Sequence, residues 1–151
     1  DRYAWGQVAG FDNMPDSFLE IATAQIKLGM IYSPKMTIAV LRHEGKEYLF
    51  NSLRRSMINK ATYKYFEWTF VLSNRMEKLS GKIHAEKQNI VGLNYYNPPG
   101  GNKTCLNTKI ACANIKLITK SGKRTELTTK NRAAFEILTN DTSHGIKVKD
   151  T

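Results

Sequence analysis

The stretch that most constrains this chain is Tyr63–Leu72, YKYFEWTFVL. Taken alternately, Phe66, Trp68, Phe70 and Leu72 fall on one side, and Tyr63, Tyr65, Glu67, Thr69 and Val71 on the other. A period of two with one wholly apolar side marks a half-buried antiparallel strand. Aromatic and β-branched residues fill it, as a pleated surface favours. A helix would scatter the same rings around its circumference. Large rings on one strand face need a broad cover, either a thick core or a bound apolar ligand. The spacing therefore predicts one continuous strand here, with Phe66, Trp68 and Phe70 turned inward.

Most of the remaining chain reads in the same way. Tyr3–Phe11 sets Tyr3, Trp5, Gln7, Ala9 and Phe11 against Ala4, Gly6, Val8 and Gly10, one face large and the other nearly bare. Small residues let something pack close to the backbone or let the strand bend. Asp12–Asp16 is a turn by composition. Ser17–Leu28 follows as a strand or two, with Phe18, Ala22, Ala24, Ile26 and Leu28 sharing a side. Met36–His43 and Glu47–Phe50 flank Glu44-Gly45-Lys46 as a hairpin. Asn51–Ala61 fits a short helix, a strand or a loop across a barrel end. Leu79–Gln88 alternates, as does the chain from about Ile110, where Ala111, Ala113, Ile115 and Leu117 face together. Arg124–Thr129 and Ala133–Leu138 end the series, and Asn97–Asn102 is the strongest breaker. The expectation is roughly eight to ten short strands with turns between them, an all-β sandwich or barrel. Short links between neighbours favour an antiparallel up-and-down β-barrel or strongly curved sheet over residues 1–138. Residues 139–151 read as a polar tail, within which Gly145–Val148 could pair briefly.

At 151 residues the chain is one domain by size, long enough to bury a core without a disulfide or metal staple. No apolar run approaches the length of a membrane span. The formal charge is +10, but the cations are spread along the chain with no long like-charge run. They read as solvated faces and turns rather than a nucleic-acid surface. Cys105 and Cys112 match no metal or redox spacing, and His43, His84 and His144 have no second ligand at metal-binding distance in sequence. No cofactor and no metal are expected. The chain opens at Asp1 almost directly into a strand, which reads as a piece excised from a longer protein.

No nucleophile elbow or phosphate loop is present. Gln7 shares a face with Trp5 and Phe11; it is either a buried amide tied to backbone or a donor to a polar ligand head. Asp12 ends the first strand, where turn formation is the ordinary role. At the mouth of an apolar pocket, desolvation would instead raise its pKa and make it an acid.

Taken together, Trp5-x-Gln7 with Phe11 and Asp12, then Val40, Gly45-Lys46, Tyr48 and Phe50, then the aromatic strand around Trp68, resemble the C-terminal half of tocopherol cyclase-like proteins. Ala111-Cys112, Lys116-Leu117 and Ala133–Ile137 continue in the same order. The similarity covers most of residues 3–138, and it rests on the ordered set rather than on any single motif. It implies a lipocalin-like barrel and a hydrophobic prenyl or isoprenoid ligand. In that family an acid protonates a prenyl double bond and a phenol oxygen closes a chromanol ring. Aromatic walls tolerate the cation. The resemblance would make Asp12 the acid and Trp5, Gln7, Phe11, Phe66, Trp68 and Phe70 the ligand-binding set. The family's first half is absent here, so the expected partner is an N-terminal domain of the same polypeptide, and the chain alone is not expected to complete the reaction. The alternative is a non-catalytic lipid-binding or interaction module.

Overall fold

A computed structural model describes residues 2–96 and 101–149. Residues 97–100 of the expected breaker Asn97–Asn102, and the first residue, Asp1, lie outside the described residues. Strands hold 63% of what is described and helices 5%, so the chain is all-β. The strands are β1 (Arg2–Ala9), β2 (Phe18–Gln25), β3 (Lys27–Leu28), β4 (Ile31–Tyr32), β5 (Met36–His43), β6 (Lys46–Phe50), β7 (Lys60–Lys64), β8 (Glu67–Ser73), β9 (Lys78–His84), β10 (Val91–Tyr95), β11 (Lys103–Ile118), β12 (Arg124–Thr139) and β13 (Val148–Lys149). The one α-helix among the described residues, α1 (Leu53–Ser56), lies in the stretch whose sequence was ambiguous. No described helix is long and apolar enough to cross a membrane.

The main sheet runs β6-β5-β2-β1-β12-β11-β9-β8-β7, and β3-β4 forms a separate small hairpin. This is a meander in two arms, joined where the first and last long strands pair antiparallel, Tyr3 opposite Leu138 and Val8 opposite Ala133. No ladder joins edge strands β6 and β7 among the described residues. Side chains span that gap instead. Asn59 donates from Nδ2 to the Thr37 carbonyl (3.1 Å) and accepts from the Ser73 amide (3.1 Å), and Asn74 donates to the Leu49 carbonyl (3.1 Å). The sheet therefore curves enough for residues beside β7 and β8 to bond β5 and β6.

Several expected faces are corrected. Tyr63–Leu72 is not one strand: Lys64 pairs with Glu67, leaving Tyr65-Phe66 as a two-residue hairpin loop. Phe66 takes a φ of 74° there, and its carbonyl accepts from the Ala85 amide (2.8 Å). Only Trp68, Phe70 and Leu72 keep the inward alternation, all buried, while Phe66 is half-buried at the rim. In β1 the bare face is the inner one: Ala4 and Val8 are fully buried, whereas Tyr3, Trp5 and Gln7 point outward. The reason is crowding from across the sheet. A Cβ on Gly6 would lie 2.9 Å from Ile83 Cδ1 and 3.1 Å from Trp68 Cζ3. Large residues of the opposite arm fill the space that β1 leaves. β2 matches it in register: Leu19, Ile21 and Thr23 are buried, and the side that Phe18, Ala22 and Ala24 share is the outer one. A one-residue change of register exchanges the two faces wholesale. Phe11 returns to the interior beyond the turn at Gly10, where φ is +94°.

The core holds Phe11, Leu19, Ile21, Leu41, Trp68, Leu72, Leu79, Ile83, Ile115 and Phe135. The Trp68 ring stacks on Phe135 at 6.2 Å and meets Phe70 edge-on at 5.7 Å, geometries that add to area burial. The expected alternation in β11 is observed, with Ala111, Ala113, Ile115 and Leu117 buried. The segment after β12 is less loose than a polar tail. His144 is buried, Ile146 packs on the core, and β13 pairs parallel with β10, Gly92 opposite Val148.

Candidate functional site

The chemistry-bearing groups gather at one end of the sheet. Arg2 opens β1 and pairs with Gln25 at the end of β2. β12 ends beside them, with Leu138 opposite Tyr3. The β7–β8 loop comes up on the other side. Between them lies a cleft of about 330 Å³ lined by Arg2, Lys35, Tyr63, Lys64 and Tyr65 over Ile137 and Leu138. Strand ends and the β7–β8 loop place these groups: the run Tyr63-Lys64-Tyr65 is brought against Arg2, Lys35 and Ile137-Leu138 from elsewhere in the chain by the sheet register.

Its cations are held by rings. The Arg2 guanidinium lies 4.5 Å from the Tyr32 ring centre and Lys35 Nζ lies 5.1 Å from that of Tyr63. Such contacts leave charge available to a further anionic or phenolic group. Burial pushes the Tyr63 hydroxyl above its ordinary range. On the far wall, the Tyr65 hydroxyl and the Ser143 amide, the latter at 2.8 Å, hold Asp141 down at about 2. Tyr65 also meets His144 edge-on at 5.7 Å, so residues after β12 form part of the wall.

Two other polar clusters lie away from this cleft. Tyr3 donates to Glu136, beside Cys105, whose thiol burial pushes up to about 11, with Glu136 adding to the effect. A thiol kept protonated is a poor nucleophile. At the opposite end, Ser17 Oγ lies 2.8 Å from His43 Nδ1, and Glu44 lies 3.7 Å from His43 Nε2. The residue types are those of a hydrolytic triad, but Ser17 and His43 are both buried, and neither lines the cleft of about 630 Å³ beside Glu44, Lys46, Tyr48 and Lys123. Glu44 and Lys123 are already paired there at 3.1 Å.

The residues singled out from the sequence do not converge. Phe11, Trp68 and Phe70 lie in the core, packed against neighbours. Trp5 is on the outer face, donating to Glu20 (3.1 Å) with Lys109 Nζ 5.5 Å from its ring centre. Gln7 is outside too, opposite Glu20 and Ala134. Asp12 is exposed at the far end of β1. Its carboxylate accepts from Thr129 Oγ1 (3.1 Å) and the Lys130 amide (2.8 Å). With Asn13, which accepts from the Thr128 amide at 2.9 Å and donates to the Glu126 carbonyl, it pins the first loop onto β12. That is turn chemistry. Arg2, Lys35, Tyr63 and Tyr65 carry no site signature in the sequence, because Arg2 and Lys35 are far from the two tyrosines along the chain and meet them only in the fold. The one available signal was the recurrence of tyrosines and cations at strand ends.

Cys105 and Cys112 are both free thiols, and no metal-binding cluster of His, Cys, Asp and Glu is found among the described residues. Comparisons with protein-family models, with curated proteins and with solved structures find no match to this chain.

Proposed function

We propose that this chain is a non-catalytic binding module for an amphipathic, prenyl-type small molecule, taken up at the end cleft of a lipocalin-like up-and-down barrel whose β6–β7 seam is closed by side chains. The observation that carries the reading is the make-up of the cleft: three cations and two tyrosines against a single carboxylate, Asp141, over Ile137 and Leu138, with room for about one ring-sized head group. Concave sites of this size with a few convergent polar groups are typical of small-ligand sites. In this reading the cations and tyrosine hydroxyls hold a phenolic or anionic head, and the tail leaves across the exposed apolar residues nearby. A ligand threaded through the sheet interior has less support, because Trp68, Phe70 and Phe135 occupy it. Acid catalysis by Asp12 also has less support, because the carboxylate is exposed and doubly hydrogen-bonded away from the cleft.

The test is titration of the chain with a prenylated quinol, followed by intrinsic fluorescence and by amide shifts. Binding with little salt dependence is expected, weakened at least ~10-fold in the Arg2→Gln/Lys35→Gln double variant, since each lost charge-assisted contact is worth about 1.5–3 kcal/mol. Binding untouched by that variant would remove the cleft from consideration. Chromanol product that disappears in Asp12→Asn would overturn the non-catalytic reading.

A further inference from the structure

Among the described residues the β3–β4 hairpin stands apart from the main sheet and pairs only with itself. Its base is fastened: Gln25 Nε2 donates to the Ser33 carbonyl (3.0 Å), the Ile26 amide donates to Ser33 Oγ (2.9 Å), and Arg2 lies over Tyr32. Its tip is open. A Cβ on Gly29 would meet nothing within 4 Å, and Met30 is 99% exposed. Ile26, Leu28 and Ile31 are exposed by 48%, 59% and 68%. Single exposed apolar residues are ordinary, but a contiguous projecting group marks a contact site.

Its surroundings indicate what it contacts. Arg2, Lys27, Lys35 and Lys64 lie on the hairpin or at the same end of the sheet. The ladders carry β10 to that end as well, Tyr95 opposite Lys103 and Thr104 opposite Thr139. There Tyr95 is 41% and Tyr96 79% exposed. An apolar tip among cations and tyrosines matches the layers of a bilayer interface: acyl chains, then aromatic groups, then anionic head groups. A polynucleotide would satisfy the cations but leave Leu28, Met30 and Ile31 in water. We propose that this end of the molecule docks on an anionic lipid bilayer, with Leu28–Ile31 inserted and Arg2, Lys27 and Lys35 at head-group level. The inference shares Arg2 and Lys35 with the ligand reading but does not rest on it, since bilayer contact uses the hairpin tip and needs no prenylated molecule in the cleft.

Co-sedimentation with vesicles of plain phosphatidylcholine, and with vesicles of about one-third phosphatidylserine, tests it; neither contains a prenylated lipid. Partitioning at least ~10-fold stronger into the anionic vesicles is expected, falling as salt rises. The Met30→Asp/Ile31→Asp variant, whose changes lie in solvent, should keep its melting temperature and lose at least ~10-fold in partitioning. Equal partitioning into both vesicles, no binding to either, or full binding by the variant would overturn the proposal. So would a single-stranded oligonucleotide that binds in a salt-sensitive way and strips the protein from vesicles, with the variant binding it equally well.

Discussion

Gly81, in β9, is crowded by both strands that flank it. A Cβ there would lie 2.6 Å from Ile115 Cδ1, 2.9 Å from Phe70 Cζ and 2.9 Å from the Asn114 carbonyl oxygen. The last of these is backbone and cannot turn aside. Gly81→Ala should therefore cost about 1–3 kcal/mol, as overpacking does, and lower the melting temperature by about 2–4 °C per kcal/mol. Gly6→Ala meets only side chains at short range, Ile83 Cδ1 and Trp68 Cζ3, and should cost less. Equal melting temperatures for wild type and Gly81→Ala would show that β9 and β11 are less closely packed than described. Both glycines could be seen in the sequence as small residues in alternating strands. That Gly6 admits Ile83 and Trp68 from the opposite arm, and Gly81 the Ile115 and Phe70 side chains of its flanking strands, could not, because those partners meet the glycines only once the strands pair.

At the level of elements, the β7–β8 hairpin shows where periodicity misleads. The alternation through Tyr63–Leu72 breaks at Tyr65-Phe66: Lys64 pairs with Glu67, so the inward parity switches across the loop and Tyr63 shares the face of its partner Trp68 instead of opposing it. Nothing in the composition marks a turn, since the position usually left to Gly or Asn holds Phe66 at φ 74°. A bulky residue in that region is strained by about 1–2 kcal/mol. Phe66 also packs against the core, so its replacement has two opposed effects, which a pair of variants separates. Phe66→Ala loses the packing and keeps the strain; Phe66→Gly loses the packing and relieves it. The glycine variant should be the more stable by about 1 kcal/mol in urea unfolding, the reverse of the usual order in a strand. If alanine proves the more stable, the loop does not hold this conformation in solution.

For the whole molecule, the decisive feature is the seam between β6 and β7. Two asparagines make bonds there without a ladder: buried Asn59 bonds Thr37 of β5 and Ser73 of β8, and Asn74 bonds Leu49 of β6. Asn59→Ala would leave the Thr37 carbonyl and the Ser73 amide unpaired, at a cost of about 1–3 kcal/mol. Amide exchange should quicken at Ser73 and along α1 before it does in β11 and β12, since partial opening begins at the least-supported edges. Uniform exchange across the sheet in this variant would mean that the seam contributes nothing distinct. Asn74→Ala, at an exposed site, should cost less.

The sequence by itself determined the all-β class, the turns at Asp12–Asp16 and Glu44–Lys46, the meander order, and the inward set from Trp68 to Leu72 and from Ala111 to Leu117. Each of these follows from local rules: a period of two, turn residues, and short links between neighbouring strands. Which face of β1 turns inward was decided only in three dimensions. Its large face looked like the core side, but Trp68 and Ile83 reach across and fill the space, so the bare face must meet them and Trp5 and Gln7 face out. The cleft was decided in the same way, since Arg2, Lys35, Tyr63 and Tyr65 become neighbours only when β1 pairs with β12 and the sheet curves back towards its own edge. Local spacing carries no information about side chains that meet through pairings of distant strands, and both the core's closure and the candidate site are built from such meetings.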